Sequence, residues 1–288
     1  MRSRTLALGQ HTLIMGILNV TPDSFSDGGH FYSPEHAPER ALTQAFQMLD
    51  DGAQILDIGG ESTRPNAIPL TANEEQARVL PVIEAILIQK PGTVLSIDTH
   101  HASTAVCAVD AGVEIVNDVS GHLWDAAMTK NCAQLGCGTV LMHTRGRPQD
   151  WATQAPLPSE DILPLVLAGL SERIKVATAA GIPRNRIVLD PGFGFGKRLD
   201  ENYPLLAHFD QLQQLNLPIL AGVSRKGFLA QALAPLYDES LPPPEFRLHA
   251  TTAANVAAIL NGAHIVRTHD VRAAVEAAAI ADRILAAL

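Results

Sequence analysis

Residues 187–197 read IVLDPGFGFGK, an apolar run that opens directly into a loop with three glycines, two phenylalanines, one carboxylate and one lysine. An apolar strand that ends in such a loop is typical of the carboxyl end of a strand in an α/β protein. Asp190 is ambiguous on its own, because a carboxylate at this point can cap a turn or anchor a buried loop as well as bind a ligand. The function of the stretch therefore depends on the rest of the chain.

Short apolar runs of this kind recur along the chain and alternate with longer segments rich in alanine and leucine. The eight runs are Leu13–Val20, Ile55–Gly60, Val94–Thr99, Ile115–Ser120, Val140–Thr144, Ile187–Gly192, Ile219–Ser224 and Ile265–His269. The segments between them predict helices at about 36–51, 72–90, 101–111, 124–136, 160–180, 199–215, 245–261 and 271–287. Continuous apolar strands separated by helices indicate a parallel sheet that is covered on both faces. Eight such units favour a closed (β/α)8 barrel that occupies residues 1–288 as a single domain.

Glycine placement agrees with this division into helices and strands. A glycine follows several of the predicted helices, where a left-handed residue ends the helix at least cost: Gly52, Gly112, Gly136, Gly181 and Gly262. The rival open sheet would need a GxGxxG fingerprint after its first strand, and Gly28-Gly29 lies in a loop without one. The closed barrel is therefore the better prediction.

Composition and charge exclude several classes of protein. Hydrophobic residues make up 47% of the chain, which supports a large core, and the formal net charge of −9 disfavours nucleic acid as a partner. No apolar run approaches the length of a membrane span or a signal peptide, which predicts a soluble cytoplasmic protein without a membrane partner. The three cysteines form no CxxC pair, and His100-His101 are neighbours whose side chains would diverge on a helix. We therefore predict surface or capping roles for most histidines.

Every predicted strand ends in polar or reactive side chains. In chain order these are Asn19, then Asp57 with Glu61 to Pro65, Asp98, Asn117 with Asp118, His143 with Arg145, Asp190 with Lys197, Ser224 to Lys226, and Arg267 with His269. Barrel enzymes place their chemistry on the loops at the carboxyl face. Eight strand ends that converge on the carboxyl-terminal opening of the barrel, its mouth, therefore predict an active site there.

The residue types at these endings indicate what the site binds. Asp98, Asn117 and Asp190 suit a flat heterocycle with several N–H donors, although buried carboxylates can also be structural if arginines or backbone amides satisfy them. The cationic side chains suit a phosphate or diphosphate, with a solvated rim as the alternative: Lys197, Arg225, Lys226, Arg267 and His269. Asn19 is suited to supply an oxygen to a Mg²⁺ ion shared with a diphosphate.

A set of long motifs carries a family resemblance. MGILNVTPDSFSDGG, GAQILDIGGESTRP, SIDT, VNDVSG, LMHTRG, DPGFGFGK, GVSRKGF and RTHDV follow in this order over nearly the whole chain. In this they resemble the dihydropteroate synthases of folate biosynthesis. The resemblance implies a (β/α)8 barrel, usually a homodimer. It also implies a transferase that joins 4-aminobenzoate to (7,8-dihydropterin-6-yl)methyl diphosphate through an SN1-like pterin cation and releases pyrophosphate. Sulfonamides occupy the aminobenzoate pocket in that family.

The resemblance also implies roles for individual residues. The pterin would be bound by Asp98, Asn117, Met142, Asp190, Lys197 and Lys226, and aminobenzoate by Thr63, Arg64, Pro65, Phe195, Ser224 and Lys226. The diphosphate would be bound by Asn19, Arg64, Arg267 and His269, with Asn19 also on Mg²⁺. Catalysis would depend on Asp98, Lys226, Arg267 and His269, with loops 21–32 and 61–68 closing over the substrates. One departure is Gly227-Phe228, where many members have a serine, just outside the residues named.

Two rival functions share the predicted fold. A pterin-binding methyltransferase barrel would use the polar groups of strands 3, 4 and 6 but has no need for the diphosphate and aminobenzoate residues. The presence of Arg64, Lys226, Arg267 and His269 tells against it. The other rival is a catalytically silent barrel that serves for binding or as a subunit partner.

Overall fold

Eight parallel strands form a barrel in the computed structural model, which describes residues 1–21, 37–61 and 69–288. The strands are β1 (Leu13–Asn19), β2 (Ile55–Gly59), β3 (Val94–Asp98), β4 (Ile115–Asp118), β5 (Gly138–Met142), β6 (Ile187–Asp190), β7 (Leu220–Ala221) and β8 (Ile265–Thr268). Their order is β6-β5-β4-β3-β2-β1-β8-β7, and a parallel bridge between Leu189 and Ile219 joins the two ends. The predicted (β/α)8 barrel is confirmed.

The described residues contain nine α-helices outside the strands. They are α1 (Ala37–Asp50), α2 (Ala72–Gln89), α3 (Ala102–Asp110), α4 (Met128–Leu135), α5 (Ser159–Ala179), α6 (Asn202–Ala207), α7 (Gly227–Leu233), α8 (Leu248–Leu260) and α9 (Val271–Leu285). All five glycines predicted to end helices have positive φ angles, between 66° and 116°. In the part of the chain that the structure describes, no helix combines the length and apolar character needed to cross a bilayer.

Several element boundaries differ from the prediction because local turns interrupt the pattern. The helix predicted from residue 124 begins only at Met128, since the Asp125 carboxylate accepts from the backbone N–H of Ala127 in a preceding turn. The helix predicted over 199–215 divides into α6 and a 3-10 helix over Phe209–Leu215, because His208 leaves the helical region at φ −112° and ψ 29°.

The seventh strand differs most. It was predicted over Ile219–Ser224, but its ladder with β8 covers only Leu220 and Ala221, and Ile219 adds the single bridge to Leu189. The strand ends early because the chain turns where the Lys226 N–H donates to the Val223 carbonyl at 3.3 Å. Helix α7 follows directly and was not predicted. The short strand brings Ser224 and Lys226 onto a loop at the carboxyl face.

The barrel interior changes from apolar to polar along its axis. Side chains of a strand alternate between its two faces, so every second residue points inward. At the amino end the inward residues form one apolar cluster: Leu13, Met15, Ile55, Val94, Ile115, Val140, Leu220 and Ile265. Two residues further along β2, β4 and β8, the same inward rows carry Asp57, Asn117 and Arg267. The fold therefore places polar side chains inside the carboxyl end, over an apolar floor.

Candidate active site

Arg267 lies at the centre of the polar interior. Its Nε is 2.6 Å from Oδ2 of Asp57, and one Nη is 2.5 Å from Oδ2 of Asp98. Asn117 donates through Nδ2 to the same Asp57 oxygen at 2.9 Å. Although burial opposes it, the carboxylates of Asp57 and Asp98 raise the pKa of Arg267, so the guanidinium is a fixed positive charge. Arg267 thus links β8 to β2 and β3, and Asn117 joins β4 to this network through Asp57.

Asp57 has a role that the sequence did not reveal, although it was noted at the end of its strand. Its side chain is completely buried, and Oδ2 serves both Arg267 and Asn117. Its other oxygen, Oδ1, has no partner among the described residues. The available signal was a carboxylate at an inward position of the apolar run ILDIG, where burial calls for a cation or hydrogen-bond donors as partners. Asp57 orients two residues that were predicted to contact substrate.

Burial also shifts the pKa values of Asp98 and Lys226, which carry opposite charges at the mouth. Burial raises the pKa of Asp98, and the Arg267 guanidinium opposes that rise. Burial lowers the pKa of Lys226 to about 8, with repulsion from Arg267 next in importance. The Lys226 ammonium lies 4.1 Å from the centre of the Phe195 ring, in a cation–π contact. Lys226 and Phe195, both predicted for the aminobenzoate pocket, are therefore in direct contact.

The 190–197 loop is folded back on itself beside this pair. The Asp190 carboxylate accepts from the backbone N–H of Gly192 at 2.7 Å, and burial raises its pKa. Lys197 donates through Nζ to the carbonyls of Gly192 at 2.7 Å and His143 at 3.4 Å. Burial also lowers the pKa of Lys197 to about 7. Lys197 thus fastens the loop to the end of β5 from within the site.

A glycine in this loop gives the first testable prediction. Gly192 has φ +68°, and a Cβ on it would lie 2.0 Å from the carbonyl oxygen of His143. We expect Gly192→Ala to destabilise the protein by at least about 3 kcal/mol, because left-handed strain and overpacking against rigid backbone add together. Gly181→Ala is the matched control, since its φ is +98° and nothing lies within 4 Å of its Cβ position. Urea unfolding measures both, and equal losses would contradict the prediction.

Ser224 and His269 form a second pair across the mouth. The Ser224 hydroxyl lies 3.0 Å from Nδ1 of His269 and accepts from the His269 backbone N–H at 3.2 Å. Burial, with further repulsion from Arg267 and Arg225, lowers the pKa of His269 to about 3, so the imidazole is neutral at pH 7. The hydroxyl fixes the ring so that Nε2 is the nitrogen left for a ligand.

An apolar wall completes the mouth. Val119, Met142 and Phe195 form a buried cluster, against which Trp124 and Trp151 pack. The Trp151 ring meets Phe195 edge-on at 5.3 Å between ring centres. Neither tryptophan was predicted for the site: Trp124 lies in a bend before α4, and Trp151 lies in a 3-10 helix over Pro148–Thr153. The wall offers a flat surface next to the polar interior.

The structure brings the predicted residues together with two qualifications. At one mouth lie Asn19, Asp98, Asn117, Met142, Asp190, Phe195, Lys197, Ser224, Lys226, Arg267 and His269. Thr63, Arg64 and Pro65 lie outside the described residues, as do most of loops 21–32 and 61–68. Arg225, which was grouped with the phosphate-binding cations, is instead bound to both oxygens of Asp270 at 3.0 and 2.5 Å.

The expectation that His100 and His101 diverge on a helix is wrong. They precede α3, with His101 as its N-cap, and their ring centres are 4.2 Å apart. Both rings approach the same oxygen of Glu61, at the end of β2, at 3.7 Å. The two rings converge because His100 lies in a bend between β3 and α3, so that neither a helix nor a strand fixes their directions.

Comparisons with known proteins agree with the geometry. The model of a family described as pterin binding enzymes matches residues 15–269. The dihydropteroate synthase of Bacillus subtilis is 41% identical over 280 residues, which are 97% of this chain and 91% of that protein. A Yersinia pestis dihydropteroate synthase solved with a sulfonamide drug complex superposes with TM-score 0.87 and 40% identity, covering 100% of this chain and 98% of that one. A Xanthomonas albilineans dihydropteroate synthase solved with 4-aminobenzoic acid gives TM-score 0.84 at 40% identity, covering 96% and 94%.

Proposed function

Because this chain belongs to the family of pterin-binding enzymes and is a dihydropteroate synthase, we propose that the barrel mouth binds a pterin diphosphate and 4-aminobenzoate at the residues described above. As a transferase of this kind it condenses the two substrates to 7,8-dihydropteroate and releases pyrophosphate. The observation that carries the assignment of the site is the buried Arg267 network with Asp57, Asp98 and Asn117.

The pterin ring fits between the polar interior and the apolar wall. Asp98, Asn117 and Asp190 present oxygen acceptors at the ends of β3, β4 and β6, and pterins carry ring N–H and amino donors. The unpartnered Oδ1 of Asp57 adds one further buried acceptor in the same layer. Met142 flanks the ring position, and Lys197 and Lys226 supply donors. A buried acceptor without a partner is costly, so substrate N–H groups that reach it bind favourably.

Aminobenzoate fits the outer part of the mouth. Phe195 contributes an aromatic ring to the pocket, and the Lys226 ammonium is held above it. This ammonium can attract the carboxylate or the aromatic ring of aminobenzoate. Ser224 lies on the same loop as Lys226, two residues before it. We also assign Thr63, Arg64 and Pro65 to this substrate, on the family resemblance alone. A sulfonamide that resembles aminobenzoate would occupy the same pocket.

The diphosphate and its metal fit the side of the mouth near β1 and β8. Arg267 and His269 lie on or just beyond β8, and we assign Arg64 to the same group. A Cβ built on Gly59 would lie 3.9 Å from Oδ1 of Asn19, which places that amide oxygen beside β2. An amide oxygen near a phosphate site suits Mg²⁺, which takes few protein ligands. When bound, Mg²⁺ would neutralise charge on the leaving group.

These residues support an SN1-like transfer. Carbon–oxygen cleavage at the pterin methylene leaves the electron pair on the diphosphate and a cation delocalised over the ring. Arg267 and the His269 ring stabilise the leaving group, while the Asp98 carboxylate faces the developing positive charge. The amine of aminobenzoate then forms the new carbon–nitrogen bond and loses a proton. Asp98, Lys226, Arg267 and His269 are therefore the residues to which we assign catalysis.

Pyrophosphate release tests the proposed function. With pterin diphosphate and Mg²⁺ present, we expect sustained pyrophosphate release that requires aminobenzoate and matches the dihydropteroate formed, as measured by mass spectrometry. A methyltransferase barrel or a silent barrel would release no pyrophosphate, and that result would overturn the proposal. We also expect pterin diphosphate to bind before aminobenzoate, and tight aminobenzoate binding without pyrophosphate or pterin diphosphate would contradict this order.

Membership of this family also supports proposals for the domain organisation, the oligomeric state and the cellular location. We propose one pterin-binding domain over residues 1–288, since Met1, Leu6 and Leu8 pack onto the apolar barrel floor. A cytoplasmic homodimer is proposed as well. It is supported by an exposed apolar stripe on α9, where Ile280 is 64% and Ile284 45% exposed.

A further inference from the structure

Glu61, His100 and His101 form a cluster of potential ligands beside the barrel mouth, apart from the residues assigned to either substrate. Oε2 of Glu61 lies 3.7 Å from Nδ1 of His100 and 3.7 Å from Nε2 of His101. One ligand atom from each of the three side chains lies within 4.8 Å of those from the other two. Among the residues that the structure describes, this is the one such group of three with ligand atoms so close together.

The protein itself does not satisfy these atoms. A separation of 3.7 Å is too long for a hydrogen bond, so the two rings approach the carboxylate without bonding to it. Oε2 of Glu61 and Nε2 of His101 are buried and have no hydrogen-bond partner in the described chain. Oε1 of Glu61 is held separately, by the backbone N–H of Leu70 at 3.3 Å. Two buried polar atoms thus point at the same place and lack a partner.

The spacing matches the ligands of a single tetrahedral metal ion. Bonds of about 2.0–2.1 Å to a zinc ion place two of its ligands roughly 3.3 Å apart. The Glu61 oxygen is 3.7 Å from each of the two ring nitrogens, which is close to this value. Two imidazole nitrogens and one carboxylate select Zn²⁺, Co²⁺ or Ni²⁺ over Mg²⁺, which prefers oxygen alone. The side chains are 14% to 23% exposed, so an ion can enter and a water can take the fourth position.

We propose that Oε2 of Glu61, Nδ1 of His100 and Nε2 of His101 bind a divalent transition-metal ion of the zinc class, at a site distinct from the Mg²⁺–diphosphate site. The site goes beyond the proposed function, because none of its three ligands is assigned to a substrate.

Cobalt spectroscopy tests the proposal without relying on activity. Protein without a histidine tag, stripped with a chelator, is titrated with Co²⁺ and its visible d–d absorption is followed. We expect one Co²⁺ per chain with the intense bands of a tetrahedral site, displaced by Zn²⁺ and retained in a large excess of Mg²⁺. His100→Gln and His101→Gln should each weaken Co²⁺ binding at least about tenfold. Far-UV circular dichroism checks that both variants remain folded.

His11→Gln is the matched control, because His11 is exposed and precedes β1 at the opposite end of the barrel from the mouth, and its loss should leave Co²⁺ binding unchanged. The proposal is overturned if both His100→Gln and His101→Gln bind Co²⁺ as the parent protein does. It is equally overturned if the spectrum shows thiolate charge-transfer bands, which would place the ion at a cysteine. Pyrophosphate release with Mg²⁺ is measured separately, so failure of the metal site does not imply failure of the proposed function.

Discussion

Replacing Asp98 with asparagine is expected to lower the rate of the chemical step about 10²- to 10³-fold while pterin diphosphate affinity changes much less. An asparagine has nearly the same shape and can still accept a hydrogen bond from the Arg267 guanidinium, which lies 2.5 Å from Oδ2 of Asp98. It lacks the negative charge that would stabilise the pterin cation. An interaction that strengthens only in the transition state affects turnover more than binding.

Single-turnover measurement of pyrophosphate release gives the rate of the Asp98→Asn variant, and calorimetry gives its affinity for pterin diphosphate. Asp282→Asn is the matched control, because that carboxylate binds Thr12 at the start of β1, at the opposite end of the barrel from the mouth. Its turnover should equal that of the parent protein. An Asp98→Asn variant with intact turnover would show that Asp98 does not stabilise the cation.

Replacing Arg267 with methionine is expected to abolish measurable turnover and to cost about 3–5 kcal/mol of unfolding free energy. The methionine fills similar space but leaves Asp57 and Asp98 without the cation that both now contact. An unpaired charge in the interior is far more costly than the loss of an exposed ion pair. The stability loss therefore comes mainly from the carboxylates that remain.

Urea unfolding distinguishes this cause from simple loss of packing. The double variant Arg267→Met, Asp57→Asn should recover part of the lost stability but none of the turnover, because it removes one unpaired buried carboxylate and restores no cation. Arg272→Met is the matched control: its pair with Glu276 is exposed on α9, so its effect should stay within about 0.5 kcal/mol. If the double variant were no more stable than Arg267→Met alone, the unpaired Asp57 carboxylate would not be the cause of the stability loss.

The sequence predicted the barrel because strand periodicity is a local property. Seven of the eight predicted runs overlap a strand of four or more residues, since a buried parallel strand must be apolar throughout. Strand β7 is shorter than its apolar run because the turn at Val223 ends its pairing, and that turn depends on the following loop. Helix boundaries near Met128 and His208 were missed for the same reason.

The site was predictable only as a set of strand ends. Asp98, Asn117, Asp190 and Arg267 could be placed at one mouth because parallel strands end on the same side. The hydrogen bonds and ion pairs between these side chains could not be predicted, since they depend on which inward-facing residues are neighbours across the closed barrel. Arg267 and Asp57 are 210 positions apart in the chain, and nothing local links them. The convergence of His100 and His101 on Glu61 was missed because it depends on a bend before α3, where a helix had been predicted from residue 101.

The join between β6 and β7 gives substrate binding a thermodynamic link to the integrity of the barrel. The two edges meet through one bridge, Leu189 with Ile219, whereas β1 and β2 share five paired positions. Fluctuations that open the barrel should therefore begin at this join, because it has the fewest backbone bonds to break. Asp190 lies on one side and Lys226 on the other, so a pterin bound to both would bridge the gap. Each substrate molecule that binds would then raise the free energy of opening, and the resting enzyme would be the form most open to local unfolding.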